Sequence, residues 1–133
     1  MTLISHGERV LTELDHVRLS RIGAGGPPPA LAEVLDLADV VASVDVPADT
    51  VTMYSQVLIH DEQRDERRKI TLCYPQDAEP AQGFISVLSP LGASLLGARV
   101  GASAAWRTPA GEEHAATIEA ILFQPEASGD YTT

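Results

Sequence analysis

The fold of this chain is decided by the stretch Ser89-Pro90-Leu91-Gly92-Ala93-Ser94-Leu95-Leu96-Gly97. The side chain of Ser89 can accept a hydrogen bond from a free backbone N–H, and Pro90 suits the first helical position, where no donor is needed. Gly97 can adopt the left-handed conformation that ends a helix. The stretch therefore predicts a very short helix with a defined start and a defined end.

One face of this predicted helix is apolar. Leu91, Leu95 and Leu96 fall on one stripe, whereas Ser94 and Ala98 lie toward the other side. The segment contains no acidic, basic or thiol side chain, so we expect it to fill a core and not to catalyse a reaction.

The segments around the helix have the alternating pattern of β-strands. Strands are predicted near residues 57–60, 69–74, 84–89, 103–107 and 115–123. The charged run 61–66 suits a hairpin tip, and Pro109-Ala110-Gly111 suits a turn. Ile118 and Ile121 are three residues apart, which breaks the alternation and predicts a β-bulge. Residues 47–133 are therefore expected to form an α+β domain, a small and largely antiparallel sheet covered by one short helix.

The sequence pattern of residues 1–46 predicts a separate, helical unit. Apolar residues recur at intervals of three or four over residues 5–22, where Ser5 is the expected cap, and again over residues 30–42. The run Gly23-Ala24-Gly25-Gly26-Pro27-Pro28-Pro29 cannot continue a helix, because glycine costs conformational entropy and proline lacks the backbone donor. The two helices are expected to form a short antiparallel hairpin of the coiled-coil type.

Charge and composition restrict the function. The chain has 19 acidic and 9 basic residues, for a formal net charge of −10. A nucleic-acid backbone is bound by a basic stripe, so direct binding is not expected, whereas an acidic surface favours a basic protein partner. No apolar run approaches the roughly 20 residues that span a bilayer, and no signal-peptide pattern opens the chain. We therefore expect a cytoplasmic protein without a membrane partner.

The side chains that could catalyse a reaction or bind a metal form no recognisable motif. The single cysteine, Cys73, excludes an internal disulfide and a cysteine-based metal cluster, and it is expected to behave as a small hydrophobic residue. Neighbouring side chains in His60-Asp61-Glu62 point to opposite sides of a strand, which does not suit a metal. The histidines outside this run are His6, His16 and His114. We predict no catalytic residue, no metal and no cofactor, and therefore not an enzyme.

Four separated blocks of the sequence carry a resemblance to a known family. They are Pro47-Ala48-Asp49-Thr50-Val51-Thr52-Met53-Tyr54-Ser55, Thr71-Leu72-Cys73-Tyr74-Pro75, the helical stretch from Ser89 to Gly97, and Leu122-Phe123-Gln124-Pro125-Glu126-Ala127-Ser128-Gly129-Asp130. In this order they resemble the C-terminal domain of the Gre transcription factors, and most of all the Rnk regulators within that family.

The resemblance implies an FKBP-like fold for the domain and bacterial RNA polymerase as the partner. In Gre factors a long hairpin enters the secondary channel, and acidic residues at its tip help to hold the Mg²⁺ of transcript cleavage. Here the tip, residues 23–29, has no carboxylate, and Glu33 already lies in the second helix. The resemblance thus implies a factor that docks near the channel and competes with Gre factors without stimulating cleavage. The docking positions that it implies are Ser89, Pro90 and Leu91.

Two other functions stay open at this point. The fold class includes prolyl isomerases of the FKBP type, although those enzymes need a pocket of several aromatic rings and Trp106 is expected to be a packing residue. The other alternative is a self-associating module, in which the apolar stripe of the hairpin pairs with a second copy. We expect a monomer or a weak dimer.

Overall fold

The computed structural model describes residues 9–22 and 25–130. The N-terminal elements are strand β1 (Val10–Thr12), helix α1 (Glu13–Ser20), helix α2 (Pro29–Leu37) and strand β2 (Asp39–Val41). The later elements are β3 (Gln56–Asp61), β4 (Glu66–Cys73), β5 (Phe84–Ser86), helix α3 (Pro90–Leu95), β6 (Ser103–Arg107) and β7 (Glu113–Phe123). No helix within the described ranges is long and apolar enough to cross a bilayer.

A five-stranded sheet in the order β5-β4-β3-β7-β6 forms the larger part of the molecule. Its pairs are antiparallel except for β4 and β5, which run parallel. Helix α3 lies on one face, where its leucines join a core with side chains from the sheet such as Ile59, Ile70 and Ile118. The predicted α+β class, with a largely antiparallel sheet and one short covering helix, agrees with this architecture.

The predicted bulge is present in β7. Val57 pairs with Ile121, whereas Ile59 pairs with Ile118, so Glu119 of β7 has no counterpart in β3. A second register shift leaves Leu122 without a counterpart as well. The extra residue lets Ile118 and Ile121 both turn toward the core side although they are an odd number of positions apart.

The predicted bounds of the N-terminal helices are wrong. Residues 10–12 and 39–41 are not helical but form a two-stranded parallel ribbon, and the helices between them are only 8 and 9 residues long. The reason is tertiary pairing: the Val10 N–H donates to the Gly97 carbonyl, and the Asp39 N–H donates to the Arg9 carbonyl. Thr12, and not the predicted Ser5, caps α1 by accepting from the Asp15 N–H. Ser5 lies outside the described residues.

Helix α3 has the predicted ends, and it is covered on both sides. The Ser89 hydroxyl accepts from the Gly92 N–H at 3.1 Å, and Gly97 has a φ of +77°. Ser94, which is predicted to lie on the side opposite the leucines, is nevertheless only 8% exposed. Helix α2 and Arg9 lie on that side of α3 and cover it.

Candidate docking surface

The loop that enters α3 is held by its own side chains. The Ser89 hydroxyl donates to the Ser86 carbonyl at 2.7 Å while it accepts from the Gly92 N–H, and the Ser86 hydroxyl accepts from the Leu88 N–H at 3.0 Å. The Ser89 N–H also donates to the Ser86 carbonyl. The donor of the Ser89 hydroxyl is therefore used inside the protein, which makes this residue a support for the loop.

Gly92 permits the close approach between α3 and this loop. A Cβ atom at position 92 would lie 2.0 Å from the Ser86 carbonyl oxygen, far closer than any real carbon contact. Because the clashing atom belongs to the backbone, no side-chain rotation can relieve the clash. Glycine is thus required for the position of the loop that leads into α3 at Pro90.

The three predicted docking residues have different environments. Pro90 is exposed, Ser89 is half-buried, and Leu91 is 8% exposed with its side chain in the core. The structure brings the three together at the start of α3, but only Pro90 is exposed at the surface. We call the projection that its ring forms the Pro90 ridge. Ser89 and Leu91 hold that ridge in place.

An apolar groove lies on one side of the Pro90 ridge. It has a volume of about 280 Å³, and its walls are almost entirely carbon. We call it the Pro90 groove and define it by residues from four segments of the chain: Pro80, Ile85, Pro90, Leu91, Trp106 and Pro109. Such a concave apolar surface suits an apolar side chain of a partner.

Trp106 connects the Pro90 groove with a second cleft on the other side of the ridge. Its ring is half-buried and stacks on the His114 ring, with the centroids 5.7 Å apart and an interplanar angle of 16°. The sequence predicts Trp106 as a packing residue, and the stacking agrees. The sequence contains no signal that the same ring also lines both surfaces.

A network of buried polar groups joins the helices to the sheet domain. Asp15 on α1 is 1% exposed, and its Oδ2 atom accepts from the Met53 N–H at 3.2 Å. The Thr52 hydroxyl donates to the Glu126 Oε1 atom at 2.7 Å. Burial, and to a lesser degree the nearby charge of Glu126, raises the pKa of Asp15 to about 6. Sequence reasoning missed this network, because its members are far apart along the chain.

Arg9 forms a second link between the N-terminal elements and α3. Its guanidinium donates from Nη1 to the Ala93 carbonyl at 3.0 Å and to the Leu96 carbonyl at 2.8 Å. These carbonyls belong to the last turn of a helix, which carries unsatisfied acceptors and partial negative charge. Arg9 therefore supplies hydrogen-bond donors to two backbone carbonyls at the C-terminal end of α3.

Several charged side chains on and beside the sheet pair with one another. His60 Nε2 lies 3.0 Å from Asp65 Oδ1, and Arg67 Nε donates to Glu119 Oε1 at 2.9 Å. No group of three or more potential ligands that could hold a metal occurs among residues 9–22 and 25–130. Cys73 is buried, as predicted for a small hydrophobic residue, and burial raises the pKa of its thiol.

Comparison with known proteins identifies the family. The family model described as "Transcription elongation factor, GreA/GreB, C-term" matches residues 46–123, more than half of the chain. The chain belongs to the GreA/GreB family of transcription elongation factors. The resemblance expected from the four sequence blocks is thereby confirmed.

Individual relatives agree with this assignment. The chain is 39% identical over 102 residues to the regulator of nucleoside diphosphate kinase, Rnk, of Escherichia coli K12, which covers 77% of this chain and 75% of that protein. It is 37% identical over 81 residues to the transcription elongation factor GreA of Chloroherpeton thalassium, which covers 61% of this chain and 51% of that protein.

A solved structure extends the likeness to most of the chain. The GreA/GreB transcription elongation factor of Nitrosomonas europaea superposes with a TM-score of 0.70 at 30% identity, covering 87% of this chain and 98% of that one. The relatives named here are transcription elongation factors and a regulator, so this chain is a Gre-family regulator by descent.

Proposed function

We propose that this protein binds bacterial RNA polymerase near the secondary channel and competes there with Gre cleavage factors without stimulating cleavage itself. Family membership supports the polymerase as partner, and the 39% identity to a protein named as a regulator supports a regulatory role. The observation that carries the proposal is the short helical arm with a tip that contains no carboxylate.

The length of the arm limits what it can reach. Helix α1 has 8 residues and α2 has 9, which at 1.5 Å per residue correspond to about 12 and 14 Å. Mg²⁺ prefers carboxylate and other hard oxygen ligands, and residues 23–29 contain no acidic side chain. An arm of this kind can occupy a channel mouth but cannot supply ligands to a distant metal.

The Pro90 ridge and the Pro90 groove are the proposed contact with the polymerase. A pre-formed apolar groove needs no rearrangement to accept a side chain, and its walls lose little conformational freedom on binding. The net charge of −10 would steer the protein toward a basic surface on the larger partner. In this proposal residues 1–46 are the blocking arm, residues 47–133 are the docking domain, and the protein acts as a cytoplasmic monomer.

A binding measurement tests the docking part of the proposal. Fluorescently labelled protein would be titrated with RNA polymerase at low salt, and an unlabelled Gre factor would then be added to displace it. We expect Pro90→Glu to weaken binding by about tenfold or more, because it places a charge between two apolar surfaces. Ala127→Glu, which adds the same charge at an exposed position, is the matched control. Equal affinity of the two variants would contradict docking through Pro90.

Prolyl isomerisation is the second candidate, favoured by the apolar groove next to Trp106. An enzyme of this kind would accelerate the slow refolding phase of a protein limited by a prolyl bond. A faster refolding phase that is lost with the Pro90→Glu variant would support isomerase activity. A refolding rate equal to the uncatalysed rate, even at high protein concentration, would exclude it.

A further inference from the structure

The outer strand of the sheet, β6, has backbone groups that bond to no backbone group among residues 9–22 and 25–130. The Ile118 N–H donates to the Ala102 carbonyl, and the Thr108 N–H donates to the Glu112 carbonyl. In an antiparallel pair the bonded residues alternate, so the ladder between β6 and β7 uses the even-numbered residues of β6. The N–H and C=O groups of Ser103, Ala105 and Arg107 therefore point away from β7. Within the described part of the chain, no backbone group bonds to them.

Within the residues that the structure describes, this edge has neither of two features that often block an edge strand. These features are a proline in the strand and a charged side chain that points inward. Strand β6 contains no proline, and both Ser103 and Ala105 are small and exposed. The strand is thus free to pair with another extended segment.

A cleft of about 560 Å³ runs alongside β6 and is closed on its far side by α2. Val34 and Leu37 of α2 form an apolar wall, and Leu37 is 59% exposed. Leu88 and Pro90 form part of the floor. We call this space the α2–β6 cleft. It combines a row of backbone groups that no described residue bonds with an apolar wall formed by α2.

The charges at the cleft are already compensated within the protein, and this determines what can bind. Arg9 is bonded to two carbonyls of α3 and lies in the field of Glu33, while Arg107 Nη2 donates to Glu113 Oε2 at 2.7 Å. A charged side chain entering the cleft would be desolvated without gaining a free counter-charge.

We propose that the α2–β6 cleft binds an extended, uncharged segment of a partner protein, which pairs with β6 as a sixth strand and lays alternate apolar side chains against α2. Main-chain hydrogen bonds supply the affinity in this mode of recognition, and the wall selects side chains at every second position. The inference does not depend on the contact with the polymerase proposed above.

The test uses a capped, uncharged nine-residue peptide of alternating valine and threonine, added to the 133-residue chain. Without the peptide, amide hydrogen exchange at Ser103 and Ala105 should be fast, while Ala104 and Trp106, which bond to β7, are protected. Saturation with the peptide should slow exchange at Ser103 and Ala105 by about tenfold or more. Protection that appears on other strands only, or no binding at about 1 mM peptide, would overturn the proposal.

Two variants at one position separate edge pairing from non-specific contact. Ala105→Pro removes an N–H that makes no ladder bond, so the sheet should stay folded while peptide affinity falls by about tenfold. Ala105→Thr keeps the N–H and should retain the wild-type affinity. Leu37→Glu leaves the edge intact but charges the wall, and it should also weaken binding. Equal affinity of Ala105→Pro and Ala105→Thr, with both variants folded by thermal unfolding, would refute strand addition.

Discussion

At the scale of single residues, Gly92 makes the sharpest prediction about stability. Gly92→Ala places a Cβ atom 2.0 Å from the Ser86 carbonyl oxygen, so either α3 or the preceding loop has to move. We expect the free energy of unfolding in urea to fall by about 3 kcal/mol. Gly25→Ala is the control, because a Cβ atom there meets nothing within 4 Å. A loss below about 0.5 kcal/mol for Gly92→Ala would mean that α3 does not pack as described.

Asp15 predicts how stability depends on pH. Its pKa is raised from 3.8 to about 6 in the folded protein, so folding favours the protonated form. This contribution is fully present below pH 4 and is lost as the pH rises through 6. The difference corresponds to about 3 kcal/mol at 1.36 kcal/mol per pH unit.

The matched variant is Asp15→Asn, which can still accept from the Met53 N–H but cannot ionise. Urea unfolding between pH 4 and pH 8 should show the wild type losing stability relative to this variant as the pH rises. The exposed Asp36→Asn serves as control. A constant difference between the wild type and Asp15→Asn across this range would contradict a raised pKa of the buried Asp15.

At the scale of elements, local sequence patterns predict some boundaries of helices and strands well. They fail where hydrogen bonds to residues far along the chain set the boundary. The predicted strand 103–107 coincides with β6, and the spacing of Ile118 and Ile121 predicts the bulge, because both depend on side-chain alternation within one strand. The helices of residues 1–46 are overestimated, since helical periodicity does not reveal that Val10 pairs with Gly97.

The same limit applies to the candidate site. The start of α3 could be predicted from the Ser89-Pro90 pair, because capping is a local interaction. The grooves on either side of Pro90 could not, since Pro80, Trp106 and α2 reach them from distant parts of the chain. The exposure of Pro90 and the burial of Leu91 likewise follow only from the assembled sheet.

Arg9 connects the segment before β1 with helix α3, and this connection predicts an effect on stability. Arg9→Met keeps much of the aliphatic length but removes both hydrogen bonds to the last turn of α3. We expect a loss of about 2 kcal/mol in the free energy of unfolding, because charged hydrogen bonds of this kind contribute 1.5–3 kcal/mol. Arg21→Met, at an exposed position, should change it little. Equal effects of the two substitutions would show that Arg9 does not stabilise α3.

At the scale of the whole molecule, two sets of contacts connect the N-terminal helices with the rest of the protein, including the proposed docking surface. Arg9 ties the N-terminal strand to α3, and the buried pair of Asp15 and the Met53 N–H ties α1 to the segment that leads into β3. A partner that holds the Pro90 ridge thereby also sets the position of the arm. The proposed function depends on this coupling, because an arm that blocks a channel has to be held at a fixed angle.

The most direct test is a transcript cleavage assay on RNA polymerase stalled in a backtracked complex. The protein alone should leave the nascent RNA intact, because residues 23–29 offer no carboxylate to a metal. Added in excess together with a Gre cleavage factor, it should slow cleavage, and Pro90→Glu should restore the rate. Two results would contradict the proposed function. One is stimulation of cleavage by the protein alone, and the other is an unchanged cleavage rate of the Gre factor when the protein is present at saturating concentration.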